Sequence, residues 1–148
     1  MMIDNKIILE NSKKLKVLYV EDDEQLKEST RKLFLNYFSV VDTAEDGLEG
    51  LEKYISHFDE VGEYYDLVIS DISMPNMDGL LMSEKIRNIC IQQAIILITA
   101  HDEISFLHSG IDIGVEGFLT KPVELEEIKK VLYTTTQKIA DSRLVKNH

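Results

Sequence analysis

Two hydropathy periods alternate along this chain, and that alternation limits the fold more than any other feature. Short β-branched runs recur at Val17-Leu18-Tyr19-Val20, Val40-Val41, Leu67-Val68-Ile69, Ile95-Ile96-Leu97-Ile98 and Gly117-Phe118-Leu119. Between them, apolar residues repeat at helical spacing: Leu26, Thr30, Leu33 and Tyr37; Leu48, Leu51 and Ile55; Met82, Ile86 and Ile89; Leu125, Ile128, Leu132 and Ile139. A weaker helix is expected from about Asp102 to Ile111. Five strands alternating with five helices imply an α/β fold, a doubly wound parallel sheet with helices on both faces.

The repeating part runs from residue 15 to residue 139, and a chain of 148 residues suits one domain with a sizeable core. Residues 1–14 precede the first strand and residues 140–148 follow the last helix. Both are polar and are expected to be disordered extensions. Ala-Asp-Ser-Arg-Leu-Val-Lys-Asn-His at the end reads like a helix running on, so a C-terminal tail or the start of a linker to a missing output module is expected there. His57 to Asp66, ahead of the third strand, reads as a surface loop.

The formal net charge of −11 sets the surface against nucleic-acid phosphates and anionic membranes, so direct contact with either is not expected. Cys90 is the single cysteine. With no disulfide framework and no CxxC pair, a cytoplasmic protein is expected. The longest apolar run near the start, Ile7-Ile8-Leu9, is too short for a signal or a membrane span.

In an open parallel sheet, functional groups gather beyond the carboxyl ends of the strands, where the strand order reverses. Glu21, Asp22 and Asp23 follow the first strand, Asp71 the third, Thr99 the fourth and Lys121 the fifth. Clustered carboxylates repel unless something neutralises them, and a hard divalent cation does so best. Mg²⁺ prefers one or two carboxylates plus a phosphate and keeps several waters. The candidate ligands are Asp22, Asp71 and the main-chain carbonyl of Ser73, with Glu21 acting through water. A metal with an open position, the Thr99 hydroxyl and the Lys121 ammonium together make a receptor for a phosphoryl group on Asp71. Asp71 would act as a carboxylate nucleophile and form an acyl phosphate. Met74-Pro75-Asn76 stiffens the following turn, and Asp78-Gly79 opens the next helix. Asp23 is read as a helix N-cap rather than a ligand.

VLYVEDDE, VISDISMPNMDG, ILITAHD and GFLTKPV, in this order and spacing, resemble the signature segments of response-regulator receiver domains of two-component signalling. The resemblance covers roughly Leu15 to Ile139. It implies a flavodoxin-like strand order 2-1-3-4-5, an acidic pair at Glu21 and Asp22, a phosphoacceptor at Asp71, a hydroxyl at Thr99, a lysine at Lys121 and an aromatic switch at Phe118. It also implies a cis peptide before Pro122. The expected partners are a sensor histidine kinase or phosphotransfer protein and a downstream effector or output domain. A phosphorylation-dependent homodimer is expected through the face of the fourth helix, fifth strand and fifth helix. Phe118 departs from the more usual tyrosine and cannot donate a hydrogen bond.

Taken singly, each of these residues has an ordinary structural role: a strand-end hydroxyl, a turn lysine, a solvated acidic turn. Their joint occurrence at the functional strand ends decides for the site. His57, His101 and His108 are read as surface residues and Cys90 as a partly buried helix end. Tyr64-Tyr65 reads as a cover for the sheet edge. His101 and Ser73 stand where an attacking water would approach, which makes them candidates for setting an acyl-phosphate lifetime.

Three other functions fit the pattern less well. An aspartyl phosphatase needs a second acid two residues after the nucleophile, where this chain has Ser73. A flavin carrier of the same topology needs a Ser/Thr/Gly-rich phosphate loop where this chain has Glu21-Asp22-Asp23. A phosphorylation-independent docking module does not need so complete a site. No turnover of an external substrate is expected.

Overall fold

The computed structural model describes residues 5–146. The element order is α1 (Asn5–Ser12), β1 (Lys16–Val20), α2 (Glu24–Phe34), β2 (Val40–Ala44), α3 (Gly47–Val61), β3 (Leu67–Asp71), α4 (Gly79–Ile89) and β4 (Ala94–Thr99). A 3₁₀ segment (His101–Phe106), α5 (Leu107–Ile113), β5 (Gly117–Thr120) and α6 (Leu125–Lys146) complete it. The strands form one parallel sheet in the order β2-β1-β3-β4-β5. β1 and β3 are neighbours although β2 lies between them in sequence, so the order reverses at β1 and leaves a crevice at their carboxyl ends. The central strands β3 and β4 are buried along their whole length, which is why their sequences run apolar without alternation.

Each face of the sheet carries its own core. One joins Val17, Tyr19, Leu67, Ile69, Ile96 and Ile98 to Phe34, Ile128 and Leu132 of α2 and α6. The other joins Leu18, Val20, Val68, Ile95 and Leu97 to Tyr54, Met82 and Ile86 of α3 and α4. Alternate residues of one strand thus serve opposite layers.

Several expectations are corrected. There are six α-helices among the described residues, not five. The sixth is α1, within the stretch expected to be disordered. Ile8 is fully buried there against Leu15, Phe34, Tyr37 and Leu132. The hydroxyl of Ser12 lies 2.7 Å from the carbonyl of Ile8 and 2.8 Å from that of Tyr37. Asn11 adds a hydrogen bond to Gln137 of α6 at 3.2 Å, so a helix whose composition looks merely polar is docked by one buried isoleucine and two polar side chains. At the other end, α6 continues through residues 140–146, as the sequence suggested for a helix running on, and Arg143 pairs with Asp66. Residues 1–4, 147 and 148 lie outside the described part.

The expected loop at His57–Asp66 is shorter than that. α3 continues to Val61 and stops at Gly62, whose φ of +83° is the left-handed turn glycine makes without strain. The buried stripe of α3 is also not the expected one. Leu48 and Ile55 are exposed, Gly50 and Tyr54 are buried with Leu51 packed beside them, and Gly47 abuts the backbone of Met77 and Asp78 in the loop after β3. A Cβ on Gly50 would meet Met82 Sδ at 2.7 Å and a Val20 methyl at 3.0 Å, so close helix approach rests on glycine, which carries no hydropathy signal. Tyr64 stacks on both Tyr54 and Phe58, and Tyr54 is fully buried, ring area that the leucine spacing left out. Tyr65 does cover the sheet edge: its hydroxyl donates to Asp42 of β2 at 2.6 Å, and its ring stacks on His57, which is therefore half-buried rather than exposed. The weak fourth helix is a 3₁₀ segment followed by α5. Its left-handed stop is Gly114.

Candidate functional site

The ends of β1, β3, β4 and β5 deliver the expected groups to one mouth. Glu21 and Asp22 follow the last residue of β1, Asp71 is the last residue of β3, Thr99 the last of β4, and Lys121 follows β5. The strand register sets Val20 against Ser70, Asp71 against Ile98, and Thr99 against Thr120. Carboxylate oxygens of Glu21, Asp22 and Asp71 lie within 4.8 Å of one another. Lys121 Nζ donates to Asp71 Oδ2 at 2.7 Å and stands 3.5 Å from Glu21 Oε1. The other Asp71 oxygen accepts the Ile72 N–H at 2.9 Å. Asp22 is exposed, whereas Asp71 and Glu21 are buried. One lip of the cluster is open and its floor is closed.

Local structure fixes these positions. Asp23 begins α2 as its N-cap, its carboxylate accepting the Leu26 N–H at 3.0 Å, so its capacity goes to the helix rather than the cluster. Asp78 caps α4 in the same way through the Leu81 N–H. Gly79, the first residue of α4, abuts Asp71: a Cβ there would stand 2.0 Å from the Asp71 carbonyl oxygen. Only glycine lets α4 start against the strand end, a constraint the sequence reading missed because Asp-Gly looked sufficient as a turn signal. Asn76 takes a left-handed φ of +65°, and its amide donates to Asp46 at 2.7 Å, tying the loop after β3 to the loop after β2. The Lys121–Pro122 peptide is cis.

Crowded charge shapes the proton affinities. Burial, first, and then the hydrogen bond and charge of Asp71 push the Glu21 carboxyl up to about 8, with Asp22 adding to this and Lys121 opposing it. For Lys121, burial acts to lower the ammonium, but the hydrogen bond and charge of Asp71, with Glu21 behind, outweigh it, and the net shift is upward. Glu21 Oε2 accepts the Asp22 N–H at 2.9 Å, whereas Glu21 Oε1 is buried with no hydrogen-bond donor among the described residues. Three gathered carboxylates, one of them with an oxygen that lacks a hydrogen-bond donor among the described residues, have the donor chemistry for a hard divalent cation. The residues present therefore fit such an ion.

Phe118 lies on the same face of the sheet as Thr99, because Leu97 opposes Phe118 and Thr99 opposes Thr120. Its ring packs under α5, where a Cβ on Gly110 would meet it at 2.7 Å. Ser73 lies two residues past β3, and its hydroxyl contacts the carboxylate of Glu103. Glu103 is 7% exposed, and the sequence reading did not single it out. Its signal is a glutamate three residues after Ala100 at the start of a helical segment, the spacing of a capping glutamate. His101 and His108 are exposed, as expected, and Cys90 is the half-buried C-cap of α4.

A switch-point crevice holding acids, a hydroxyl and a lysine on adjacent strands of a 2-1-3-4-5 sheet defines a class of protein, and comparison with known proteins agrees. The family model for the response regulator receiver domain matches residues 17–133. This chain belongs to that family. It is 36% identical over 114 residues to the response regulator ArlR of Staphylococcus aureus, covering 76% of this chain and 48% of that protein. The chain thus spans about half the length of the curated relatives it matches. The crystal structure of the N-terminal domain of an uncharacterized protein from Wolinella succinogenes is similar at 32% identity, with a TM-score of 0.70, covering 89% of this chain and 98% of that one. The REC domain of AraT, a response regulator from Geobacillus stearothermophilus, is similar at 30% identity and a TM-score of 0.76, covering 87% and 98%. Among the described residues no helix is long and apolar enough to cross a membrane.

Proposed function

We propose that this receiver is a phosphorylation switch in which Asp71 accepts a phosphoryl group from a sensor histidine kinase or phosphotransfer protein in the cytoplasm. The observation that carries this reading is the Asp71 carboxylate: buried at a strand end, 2.7 Å from Lys121 Nζ, and within one cluster with Glu21 and Asp22. Asp22, Asp71 and the Ser73 carbonyl would hold Mg²⁺, with Glu21 acting through water. Bound there, Mg²⁺ would neutralise the acids and accept one phosphoryl oxygen.

The chain's own residues do the rest. An Asp71 oxygen attacks phosphorus in line, and the donor's ring nitrogen, in a phosphohistidine, leaves with the bonding electrons. Lys121 stays charged, as its upward shift favours, and follows a second phosphoryl oxygen. The Thr99 hydroxyl and the backbone N–H groups at the mouth take the third. Thr99 moves towards the phosphoryl group and Phe118 fills the space it leaves. Their shared face of the sheet and the tight seat of Phe118 under Gly110 support this coupling. The face of α5, β5 and α6 is then remodelled for an effector, an output domain or a second copy of the chain, a shift between two packings.

The receiver unit is proposed to comprise residues 15–139, braced by α1. No turnover of an external substrate is proposed. Intact mass after incubation with acetyl phosphate and Mg²⁺ tests the reading. One added phosphoryl group is expected, lost with EDTA and in Asp71→Asn. An equal gain in Asp71→Asn would sink it.

A further inference from the structure

The residues just past β3 and β4 run side by side, because Asp71 and Ile98 are paired in register. Ser73 and Ala100 therefore face each other across the mouth that a phosphoryl group on Asp71 must enter. Their donors are already taken. Glu103 Oε1 accepts the Ala100 N–H at 2.8 Å, and the Ser73 hydroxyl donates to Glu103 Oε2. The Glu103 N–H in turn donates to the Ala100 carbonyl at 3.0 Å, which closes the first turn of the 3₁₀ segment. A nearly buried carboxylate thus occupies two donors that stand one and two residues past Thr99 and Asp71, the last residues of their strands.

We propose that Glu103 is a positioning residue that sets the rate and strength of phosphoryl acceptance, its carboxylate acting as an internal competitor for the phosphoryl seat. The proposal rests on the reading of Asp71 as phosphoacceptor. In the transfer itself, a bond forms between an Asp71 oxygen and phosphorus, and the bond from phosphorus to the donor's leaving atom, a ring nitrogen in a phosphohistidine, breaks. With acetyl phosphate, acetate leaves with the electron pair. Glu103 exchanges no proton; its side chain yields the Ala100 N–H and the Ser73 hydroxyl as the phosphoryl oxygens arrive. Its departure uncaps His101–Phe106, the segment leading into α5. Occupation of the site is thereby tied to the start of the responsive face through a contact independent of Thr99 and Phe118.

The same contacts would also be made by a residue that only caps the 3₁₀ turn, and two variants separate the roles. Glu103→Gln keeps an oxygen for the Ala100 N–H, and so keeps the cap, but loses the charge. Glu103→Ala loses both. Wild type and both variants are loaded with acetyl phosphate and Mg²⁺ and followed by intact mass. Affinity for beryllofluoride, which occupies the phosphoryl seat without transfer, is measured alongside, and circular dichroism verifies that each variant is folded. If Glu103 competes for the seat, Glu103→Ala loads and binds beryllofluoride about tenfold better than wild type, on the scale of one charge-assisted hydrogen bond set against a neutral one. Glu103→Gln falls between, at roughly threefold. Wild type that loads normally, with neither variant loading faster or binding beryllofluoride tighter, overturns the competitor role and leaves Asp71 as acceptor intact. If no protein, wild type included, gains a phosphoryl group or binds beryllofluoride, the acceptor reading fails and takes this proposal with it.

Discussion

At the amino end of the sheet buried polar groups are paired, whereas at the carboxyl end they are crowded. Before β1, Asp66 accepts the Lys16 N–H at 2.7 Å and also meets Arg143 from the end of α6. Beside β4, the Tyr54 hydroxyl donates to Gln93 at 2.6 Å, and Glu116 bridges the Ile95 N–H and Arg87. Arg87 Nε alone lacks a partner within that network. At the opposite end three carboxylates gather, two of them share one ammonium, and Glu21 Oε1 has no hydrogen-bond donor among the described residues. The two ends teach a division of labour. Satisfied polar groups hold the strands at one end, and that stability lets the other keep an electrostatic arrangement costly in isolation and useful only when a cation or phosphoryl group arrives.

The sharpest break of this comparison is Asp71→Asn. Phosphoryl gain from acetyl phosphate should fall to background by intact mass, while the urea midpoint does not drop. A large loss of stability would mean that the site end holds the fold together. Ile8→Ala is the reverse experiment. It should cost about 2–4 kcal/mol by urea unfolding, since the side chain is fully buried, and change phosphoryl loading less than twofold. Glu116→Ala strands Arg87 in a half-buried place and should cost about 1–3 kcal/mol in the same assay, again without effect on loading.

A smaller effect is expected at Glu21, and its sign depends on pH. The carboxyl is pushed up to about 8 in the fold, against about 4.5 when unfolded, so the folded chain keeps a proton that the unfolded chain releases. The metal-free protein should therefore be most stable below the unfolded value and lose stability as pH rises to about 8. Glu21→Gln should flatten that decline and raise the metal-free Tm at pH 8 by roughly 2–6 °C in calorimetry, the range for about 1 kcal/mol. Mg²⁺ should raise the wild-type Tm more at pH 8 than at pH 6, because the proton no longer competes. A flat pH profile would remove Glu21 from the crowded end. The smallest change is Asp23→Ala, which loses one cap and should cost about 1 kcal/mol, read from the urea midpoint.

The sequence was most informative where local chemistry and tertiary role coincide. β3 and β4 announced themselves as unbroken apolar runs because both faces are buried, and Asp71, Thr99 and Lys121 could be found simply as the residues ending such runs. It was least informative where contact depends on what is missing from a side chain. Gly50 on α3 lies against Val20 and Met82 and Gly47 against the loop after β3, while Leu48 and Ile55 of the expected stripe face solvent, because hydropathy cannot register a glycine's close approach. Gly79 beside the Asp71 carbonyl is a constraint of the same kind. α1 was missed because one buried isoleucine leaves no period to detect. Glu103 looked like any acid near a helix start until the register set Ser73 opposite Ala100.

By itself, then, the sequence determined the alternation of strand and helix, the family, and which residue types stand at each strand end, because burial on both faces and turn chemistry are written in local composition. Tertiary structure alone decided which of those ends are neighbours and how closely they approach. It drew Glu21, Asp22 and Asp71 together, docked α1 and joined Glu103 to Ser73 and Ala100. Those outcomes depend on strand order, register and helix approach, which arise from the summed packing of residues far apart in the chain and have no local signature.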